Sequence, residues 1–293
     1  MAKKQSTKQE AKIAVIGGSG MYEIDGVRNV KEVKVKTPFG DPSDAITLGE
    51  IEGVRCAFLP RHARGHRILP GELNSRANIY ALKLLGVEQI VSVSACGSLK
   101  EEVKPRQFLI PDQIYDRTKD RPCTFFGEGI VGHVGFAEPF CKEISGALAK
   151  SARALNIDHH YGGTYVCIEG PMFSTKAESN VYRHLGFSII GMTAVPEAKL
   201  AREAEICYAT VGLVTDYDVW KEGEEVTVET VIANMKENTE NAKKLIKHVV
   251  PELAERQVSC PCTSALKFAV MTKLDSKNKK TQNKLKLLLQ KYN

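Results

Sequence analysis

Two carboxylates follow an apolar run of the sequence, where they could serve as acids or as hydrogen-bond acceptors. The run Cys207 to Thr215 predicts a buried strand, and Asp216 and Asp218 come directly after it. Residues two apart on an extended chain point the same way, so we expect the two acids to share one pocket. Two carboxyl groups in a desolvated pocket raise the pKa of one of them. The pair therefore predicts an acid site, or a site for a base that bears N–H groups.

A second set of residues has the chemistry of an anion site. Its members are hydroxyl and cationic side chains at predicted strand ends, namely Ser19, Arg61, His62, Ser94 and Thr193. Such donors suit an anion of the size of phosphate. The run Gly17 to Gly20 around Ser19 can also turn backbone N–H groups toward an anion. It is neither a Walker loop nor a dinucleotide fingerprint, and taken alone it also fits a tight structural turn.

These residues must be positioned by alternating strands and helices. Short apolar strands at 30–37, 45–48 and 54–59 are closely spaced and predict an antiparallel or mixed part of a sheet. From residue 74 onward strands alternate with helices, and Thr175 with Glu178 forms a capping-box pattern. This alternation predicts an α/β fold with a doubly wound sheet. The carboxyl ends of its strands gather at one edge, where such folds bind small molecules.

The chain of 293 residues has an ordinary globular composition, and we expect one domain over residues 12–272. The net charge of +6 is uneven: residues 1–12 carry +3, residues 267–293 carry +7, and the body between them carries −4. Residues 1–11 and 273–293 are therefore expected to be basic polar tails, the second disordered or a loosely attached helix. Nucleic-acid binding is not expected, because no aromatic residue but Tyr292 interleaves with the tail lysines.

No apolar run approaches the ~20 residues that a membrane span requires, and residues 1–10 lack the apolar core of a secretory signal. A cytoplasmic location is therefore expected. The eight cysteines form no Cys-x-x-Cys pair, so no zinc ribbon, and no metal site, is predicted. The run Cys260-Pro261-Cys262 fits two free thiols in a loop as well as a redox-labile loop.

Taken together, the motifs resemble the S-methyl-5′-thioadenosine phosphorylases, which belong to the trimeric purine nucleoside phosphorylases. The resemblance covers roughly residues 12–255 and rests on six runs in the same order. They are Ile16 to Gly20, Arg61-His62 with His66, Ser94 to Leu99, Glu169-Gly170-Pro171, Met192-Thr193 and Thr215 to Asp218. It implies the nucleoside phosphorylase fold, a single domain with a mixed central β-sheet flanked by helices. It also implies a homotrimer or a hexamer with active sites at subunit interfaces, and phosphate as co-substrate without a further cofactor.

The resemblance also implies a role for each matched residue. Phosphate would contact Ser19, Arg61, His62, Ser94, Thr193 and the backbone N–H of Ala95. Asp216 and Asp218 would contact N7 and the 6-amino group of adenine as the catalytic pair. The remaining nucleoside contacts would be Met192 under the ribose, Phe173 and Ser174 at the purine, and an apolar pocket for the methylthio group. That pocket would consist of Val228, Val231 and Ile232, with His66 and His133 from a neighbouring subunit and Met271 as a closing residue.

The reaction so implied is phosphorolysis of methylthioadenosine to adenine and 5-methylthioribose-1-phosphate. The alternatives are a 6-oxopurine nucleoside or methylthioinosine phosphorylase, and a nucleosidase that uses water. Within the family, Asn at the first acid accompanies 6-oxopurines, so Asp216 favours adenine. Met172 and Gly191 depart from the commoner pattern and bear on fine substrate preference. The Cys260-Pro261-Cys262 run is similar to one in heat-stable archaeal members, which implies cysteine pairing there and a second pair of Cys141 with Cys207.

Overall fold

The computed structural model describes residues 9–18, 26–223, 227–275 and 278–292, and its centre is a mixed sheet. Eleven strands of the described residues form this sheet. They are β1 (Ile13–Gly17), β2 (Arg28–Val33), β3 (Ile46–Ile51), β4 (Val54–Pro60), β5 (Gln89–Ser98), β6 (Phe108–Ile110), β7 (Gln113–Arg117), β8 (His159–Tyr161), β9 (Thr164–Ile168), β10 (Ile189–Gly191) and β11 (Cys207–Asp216). The predicted α/β class with a mixed sheet is confirmed.

The strand β5 organises the sheet, because it is long enough to pair with different neighbours along its length. Its first part lies parallel to β1, and β11 lies parallel to it over nearly its whole length. Its last residues, Gly97 and Ser98, pair antiparallel with β10. Beyond β10 the order continues through β9 to β7, and on the other side through β1, β4 and β3 to β2. The sheet therefore divides at the end of β5, which is where a cavity opens.

Seven α-helices of the described residues accompany the sheet. They are α1 (Ser75–Leu84), α2 (Lys142–Ala154), α3 (Lys176–His184), α4 (Ala194–Glu203), α5 (Val228–Glu255), α6 (Lys279–Lys284) and α7 (Lys286–Leu289). The predicted capping box of α3 is present, since the Thr175 side chain accepts from the Glu178 N–H and Glu178 bonds back to Thr175. In α4, Val195 is still extended, so the regular helix begins at Pro196.

Both faces of the sheet are covered, which explains why its central strands read as continuous apolar runs. Along β1 the side chains alternate: Ala14 and Ile16 lie in a core with α1 and α4, whereas Ile13 and Val15 lie in a core with α2 and α5. The predicted antiparallel part is confirmed in β2, β3 and β4, which pair antiparallel in sequence order. None of the described helices is long and apolar enough to cross a membrane.

Two expectations from the sequence are wrong. The strand end predicted at Ser94 is four residues too early, because residues 95–98 continue β5 and still pair with β11 and β10. The C-terminal residues were expected to be disordered or loosely attached, yet residues 278–292 pack on the body. Leu285 is 0% exposed and Leu287, Leu288 and Leu289 are buried in the core of α1 and α4. The lysines that flank them made the segment resemble a solvated tail, but the four leucines supply the apolar face that holds it.

Candidate active site

A cavity of about 960 Å³ opens at the carboxyl ends of β4, β5, β10 and β11, against the first turns of α5. Most of the predicted site residues that the structure describes line it. They are Arg61, His62, His66, Ser94, Ala95, Phe173, Ser174, Met192, Thr193, Asp216, Asp218, Val231 and Ile232. Residues from six separate segments of sequence therefore meet in one place, as the gathering of strand ends at one sheet edge requires.

The two acids lie together at the end of β11, although not as an extended chain would place them. Asp216 is the last residue of the strand, and Asp218 has a φ of 52°, so the backbone turns sharply between them. The turn lets the Asp218 N–H donate to Asp216 Oδ1 at 2.8 Å, while Thr215 Oγ1 donates to Asp216 Oδ2 at 2.6 Å. The predicted shared pocket is present, but a turn and not strand alternation creates it.

Burial dominates the electrostatics of this pair. It raises the pKa of Asp216, although hydrogen bonds from Thr215 and the Asp218 backbone oppose the effect. For Asp218, burial raises the pKa to about 6, with hydrogen bonding opposing it and the neighbouring Asp216 charge adding to it. Asp218 Oδ2 is buried and has no hydrogen-bond partner among the described residues. The site thus holds a carboxyl oxygen that can donate a proton to a bound molecule or accept one from it.

The turn that carries the acids is fixed from three sides. In α5, the Asn234 and Asn238 side chains donate to the backbone carbonyls of Thr215 and Val214 at 2.6 and 2.8 Å. Trp220 Nε1 donates to the Ser98 carbonyl at 2.8 Å. Glycine is required at Gly97, because an added Cβ would lie 2.9 Å from Asp216 Oδ1. Both acids are therefore held by contacts that come from distant segments of the chain.

Another part of the cavity presents hydroxyl groups. Ser94 in β5 and Thr193 after β10 are both 6% exposed, and their hydroxyl oxygens lie 2.9 Å apart. One of them donates its only proton to the other, so one O–H proton and the free lone pairs of both oxygens remain for a ligand. The ring of Tyr165 fills the space that a side chain at Gly191 would need, which explains why glycine stands there. Ser94, Thr193 and the backbone of Ala95 thus form a compact set of hydrogen-bonding groups.

Arg61 lies beside these hydroxyls but is already engaged. It is 1% exposed and pairs with Glu197, with Nε–Oε1 and Nη2–Oε2 distances of 2.6 and 3.1 Å. Nη2 also donates to Ser92 Oγ, and Nη1 to the Val93 carbonyl. Burial alone would lower the pKa of Arg61, but the Glu197 carboxylate outweighs it and holds that pKa above its usual range. Against the described residues, one Nη1 hydrogen remains for a ligand.

His62 contributes a neutral ring rather than a fixed cation. Its Nδ1 lies 2.8 Å from the Ile68 carbonyl, which can only accept, so Nδ1 carries the proton and Nε2 is an acceptor. Burial, followed by the Arg61 charge, lowers the pKa of His62 to about 4. The His66 ring stacks on His62 at 4.5 Å between centroids. His66 was expected to arrive from a neighbouring subunit, but it lines the cavity of its own chain.

Two buried residues with strong effects on the site were not predicted from sequence. One is Glu197, the partner of Arg61. The other is Arg121, which is 7% exposed and donates to the carbonyls of Met192 and Val195 at 2.6 and 2.7 Å. Arg121 Nε also pairs with Glu169 at 2.9 Å. Arg121 occurs in a Pro- and Gly-rich segment and Glu197 in a first helical turn, where an acid is expected for capping, so neither gave a distinct signal.

Four predicted residues are not among the described lining of this cavity. Ser19 and the side chain of Val228 lie outside the described part of the structure. His133 and Met271 lie together elsewhere: the His133 N–H donates to the Ala269 carbonyl, and the Met271 N–H donates to the Val131 carbonyl. Met271 is 69% exposed and Val131 is 47% exposed. Their expected role depends on a neighbouring subunit, so it stays a prediction.

With this geometry in place, comparisons with known proteins define the class. The sequence profile of the phosphorylase superfamily matches residues 12–251. A protein of Koribacter versatilis named S-methyl-5′-thioadenosine phosphorylase is 54% identical over 97% of this chain and 97% of its own length. The chain therefore belongs to the S-methyl-5′-thioadenosine phosphorylase family within that superfamily.

Solved structures agree with the sequence match. A crystal structure of a methylthioadenosine phosphorylase from an antarctic soil metagenomic library has a TM-score of 0.92 and 49% identity, covering 96% of this chain and 100% of that chain. An adenosine/methylthioadenosine phosphorylase mutant from Schistosoma mansoni in complex with methylthioadenosine has a TM-score of 0.82 and 35% identity. It covers 88% of this chain and 96% of its own. The predicted nucleoside phosphorylase fold is confirmed.

Proposed function

We propose that this chain cleaves S-methyl-5′-thioadenosine with phosphate, giving adenine and 5-methylthioribose-1-phosphate. The observation that carries the proposal is one cavity in which hydroxyl and guanidinium donors face a buried carboxyl pair. Breaking an N-glycosidic bond builds positive charge on the ribose and negative charge on the leaving base. A site that catalyses this reaction must stabilise both charges, and the two parts of this cavity do so separately.

The phosphate part would consist of Ser94, Thr193, the Ala95 N–H, the free hydrogen of Arg61 Nη1, and Ser19. Glu197 neutralises Arg61, so hydroxyl and backbone donors supply much of the binding, and the phosphate dianion keeps charge with which to stabilise the ribose cation. His62 Nε2 would accept a hydrogen bond from the remaining P–OH group of phosphate. Phosphate then attacks C1′ as the bond to the purine breaks, and no other cofactor is needed for this step.

The base part would consist of Asp216 and Asp218. Because burial raises both pKa values, one member of the pair can hold a proton and deliver it to N7 of the leaving adenine. The other carboxyl oxygens accept from the 6-amino group. A 6-oxopurine presents an acceptor there and would leave a carboxylate unpaired, which costs about 1–3 kcal/mol. The acids therefore favour adenine as the leaving group.

The sugar and methylthio contacts would come from apolar residues at the rim of the cavity. Met192 would lie under the ribose and Phe173 and Ser174 beside the purine, while Val231 and Ile232 with Val228 would surround the methylthio group. Phe173 is 54% and Ile232 is 64% exposed. Such exposure of apolar side chains at a binding cavity is costly unless a substrate or another subunit covers them.

A homotrimer, or a hexamer of two trimers, supplies that cover. Phe268 and Met271 are exposed to 85% and 69%, and Val131 lies on the same surface. In the proposed assembly this surface brings His133 and Met271 to the methylthio pocket of the next subunit. Size-exclusion chromatography with light scattering should give three or six chains, and Met271→Ala should raise the KM for methylthioadenosine more than the KM for phosphate.

The decisive experiment measures adenine release from methylthioadenosine, adenosine and inosine, each with and without phosphate. We expect rapid adenine release from methylthioadenosine only when phosphate is present, with a sugar phosphate as the second product. Equal rates without phosphate would identify a nucleosidase and overturn the proposal. Faster release of hypoxanthine from inosine than of adenine from methylthioadenosine would identify a 6-oxopurine enzyme and would also overturn it.

A further inference from the structure

Four of the eight cysteines converge far from the nucleoside cavity. Cys141, Cys207, Cys260 and Cys262 are all buried, and their four Sγ atoms lie within 4.8 Å of one another. All eight cysteines of the chain are present as free thiols. The cluster lies at the first residue of β11, whereas Asp216 is the last, which places the two sites about 30 Å apart along the strand. The cluster therefore has no part in the chemistry described above.

We propose that these four cysteines bind one zinc ion as a tetrathiolate site. The thiols converge from three elements: Cys141 precedes α2, Cys207 begins β11, and Cys260 and Cys262 belong to the single turn after α5. In a tetrahedral site with Zn–S distances of 2.3 Å, neighbouring sulfurs are about 3.8 Å apart. Cys141 and Cys260 are 3.7 Å apart, and Cys207 and Cys260 are 3.1 Å apart. Closed four-sulfur coordination of this kind is typical of structural zinc.

A partly buried arginine at the cluster provides independent support. Arg256 Nη2 lies 3.7 Å from Cys207 Sγ, and Nη1 pairs with Glu143 at 2.7 Å. Arg256 Nε is buried and has no hydrogen-bond acceptor among the described residues. A zinc ion with four thiolates carries a net charge of −2, and its sulfurs accept N–H hydrogen bonds. Two disulfides would be neutral and would leave this guanidinium beside uncharged sulfur, so the charge distribution favours zinc.

The position of Cys141 favours thiolate formation as well. It is the N-cap residue of the 13-residue helix α2, where the helix dipole stabilises negative charge. Binding would proceed as Zn²⁺ plus four thiols giving the tetrathiolate complex and four protons, without change of oxidation state. The zinc would fasten the turn after α5 to β11 and α2. Leu266 and Ala269 follow this turn and pack in the core of α1 and α4, so the metal would stabilise their attachment.

The absence of a Cys-x-x-Cys pair argued against a metal site in the sequence. That inference considered the spacing of only two neighbouring cysteines, whereas the four ligands come from three segments of the chain that are more than 50 residues apart. Zinc requires a tetrahedron of sulfurs in space, and the fold supplies it from remote segments. The first expectation, that no metal is bound, therefore does not follow from the sequence pattern alone.

The test measures zinc in the full-length protein, purified with a reducing agent and dialysed to remove loosely held metal. We expect about one zinc ion per chain in the unaltered protein and in Cys123→Ser, whose cysteine lies outside the cluster, and a loss of roughly tenfold in Cys262→Ser. Two results would overturn the proposal. In the first, the protein is free of zinc, has eight reactive thiols and takes up no added Zn²⁺. In the second, protein purified without a reducing agent contains two intramolecular disulfides, and protein purified with one contains no zinc.

A second measurement covers the case in which Cys262→Ser fails to fold. Zinc is removed from the unaltered protein with a chelator under reducing conditions, and Tm is followed as Zn²⁺ is added back. We expect Tm to fall by several degrees and to recover at one equivalent, with up to four protons released per ion in weakly buffered solution. An unchanged Tm and no proton release on addition of Zn²⁺ would refute the site.

Discussion

Replacing Asp216 by Asn tests the role of the carboxyl pair most directly, because the fold can accept the amide. Asp216 now accepts from the Asp218 N–H and from Thr215 Oγ1. An Asn can keep the first bond with its oxygen and donate to Thr215 with its nitrogen. Thr215 Oγ1 can then donate to the Cys96 carbonyl, which is 3.3 Å away. We therefore expect the Asp216→Asn variant to fold normally.

Its catalysis should change strongly. An amide can neither carry a titratable proton to N7 nor place two carboxylate acceptors at the 6-amino group. Loss of general acid catalysis is worth about 100- to 10,000-fold, so kcat/KM for methylthioadenosine should fall by that factor. A 6-oxopurine is excluded because it would leave a carboxylate unpaired, and the amide removes that penalty. The ratio of kcat/KM for methylthioadenosine to kcat/KM for inosine should therefore fall by roughly 10- to 100-fold.

The assay compares adenine and hypoxanthine release by ultraviolet absorbance in saturating phosphate. The exposed Asp158→Asn variant is the matched control, since it makes the same chemical change outside the cavity. Circular dichroism and Tm establish that both variants are folded. If Asp216→Asn retains kcat/KM for methylthioadenosine within about threefold of the unaltered enzyme, the assignment of the acid to this pair is wrong.

Three further predictions concern the residues that shape the two parts of the cavity. Glu197→Gln loses the bidentate carboxylate that orients the Arg61 guanidinium, and this loss of orientation should outweigh the attraction of the uncompensated Arg61 charge for phosphate, so the KM for phosphate should rise about tenfold. The matched control is Glu203→Gln, which changes a buried acid of the same helix that bonds Thr124 and should leave this KM unchanged; equal effects of the two substitutions would show that Glu197 does not position Arg61. For Asp218 the folded-state pKa of about 6 exceeds the value of 3.8 that an aspartate has in the unfolded chain, so the folded protein carries a free-energy cost that is absent below pH 3.8 and complete above pH 6. Asp218→Asn should therefore raise the free energy of unfolding by up to about 3 kcal/mol at pH 8, and urea titrations should show this gain shrinking as the pH falls from 7 to 5; a gain independent of pH would contradict the linkage. Gly97→Ala places a Cβ 2.9 Å from Asp216 Oδ1 and should lower kcat/KM for nucleoside by roughly tenfold or more. The control is Gly146→Ala, where an added Cβ meets nothing within 4 Å and the substitution should be harmless or stabilising. Full activity of the Gly97→Ala variant would show that the acids tolerate displacement.

The fold class was predictable because apolar runs and polar breaks report element type directly. The strands Ile46–Ile51 and Val54–Pro60 and the cap of α3 at Thr175 follow from local residue chemistry. The C-terminal leucines were misjudged because burial depends on what lies opposite a segment. Leu285 is buried by α1 and α4, whose positions its own sequence does not encode.

The sequence by itself determined which residue types stand at the strand ends, and hence that donors for an anion and a pair of acids lie at one edge of a sheet. Tertiary structure alone decided how those groups behave. It paired Arg61 with Glu197 across 136 residues and turned Asp218 back toward Asp216. It also brought Cys141 and Cys260 within 3.7 Å. The physical reason is that pKa values, charge neutralisation and metal geometry depend on distance and burial in space. Residues far apart in the chain set both, so no local pattern records them.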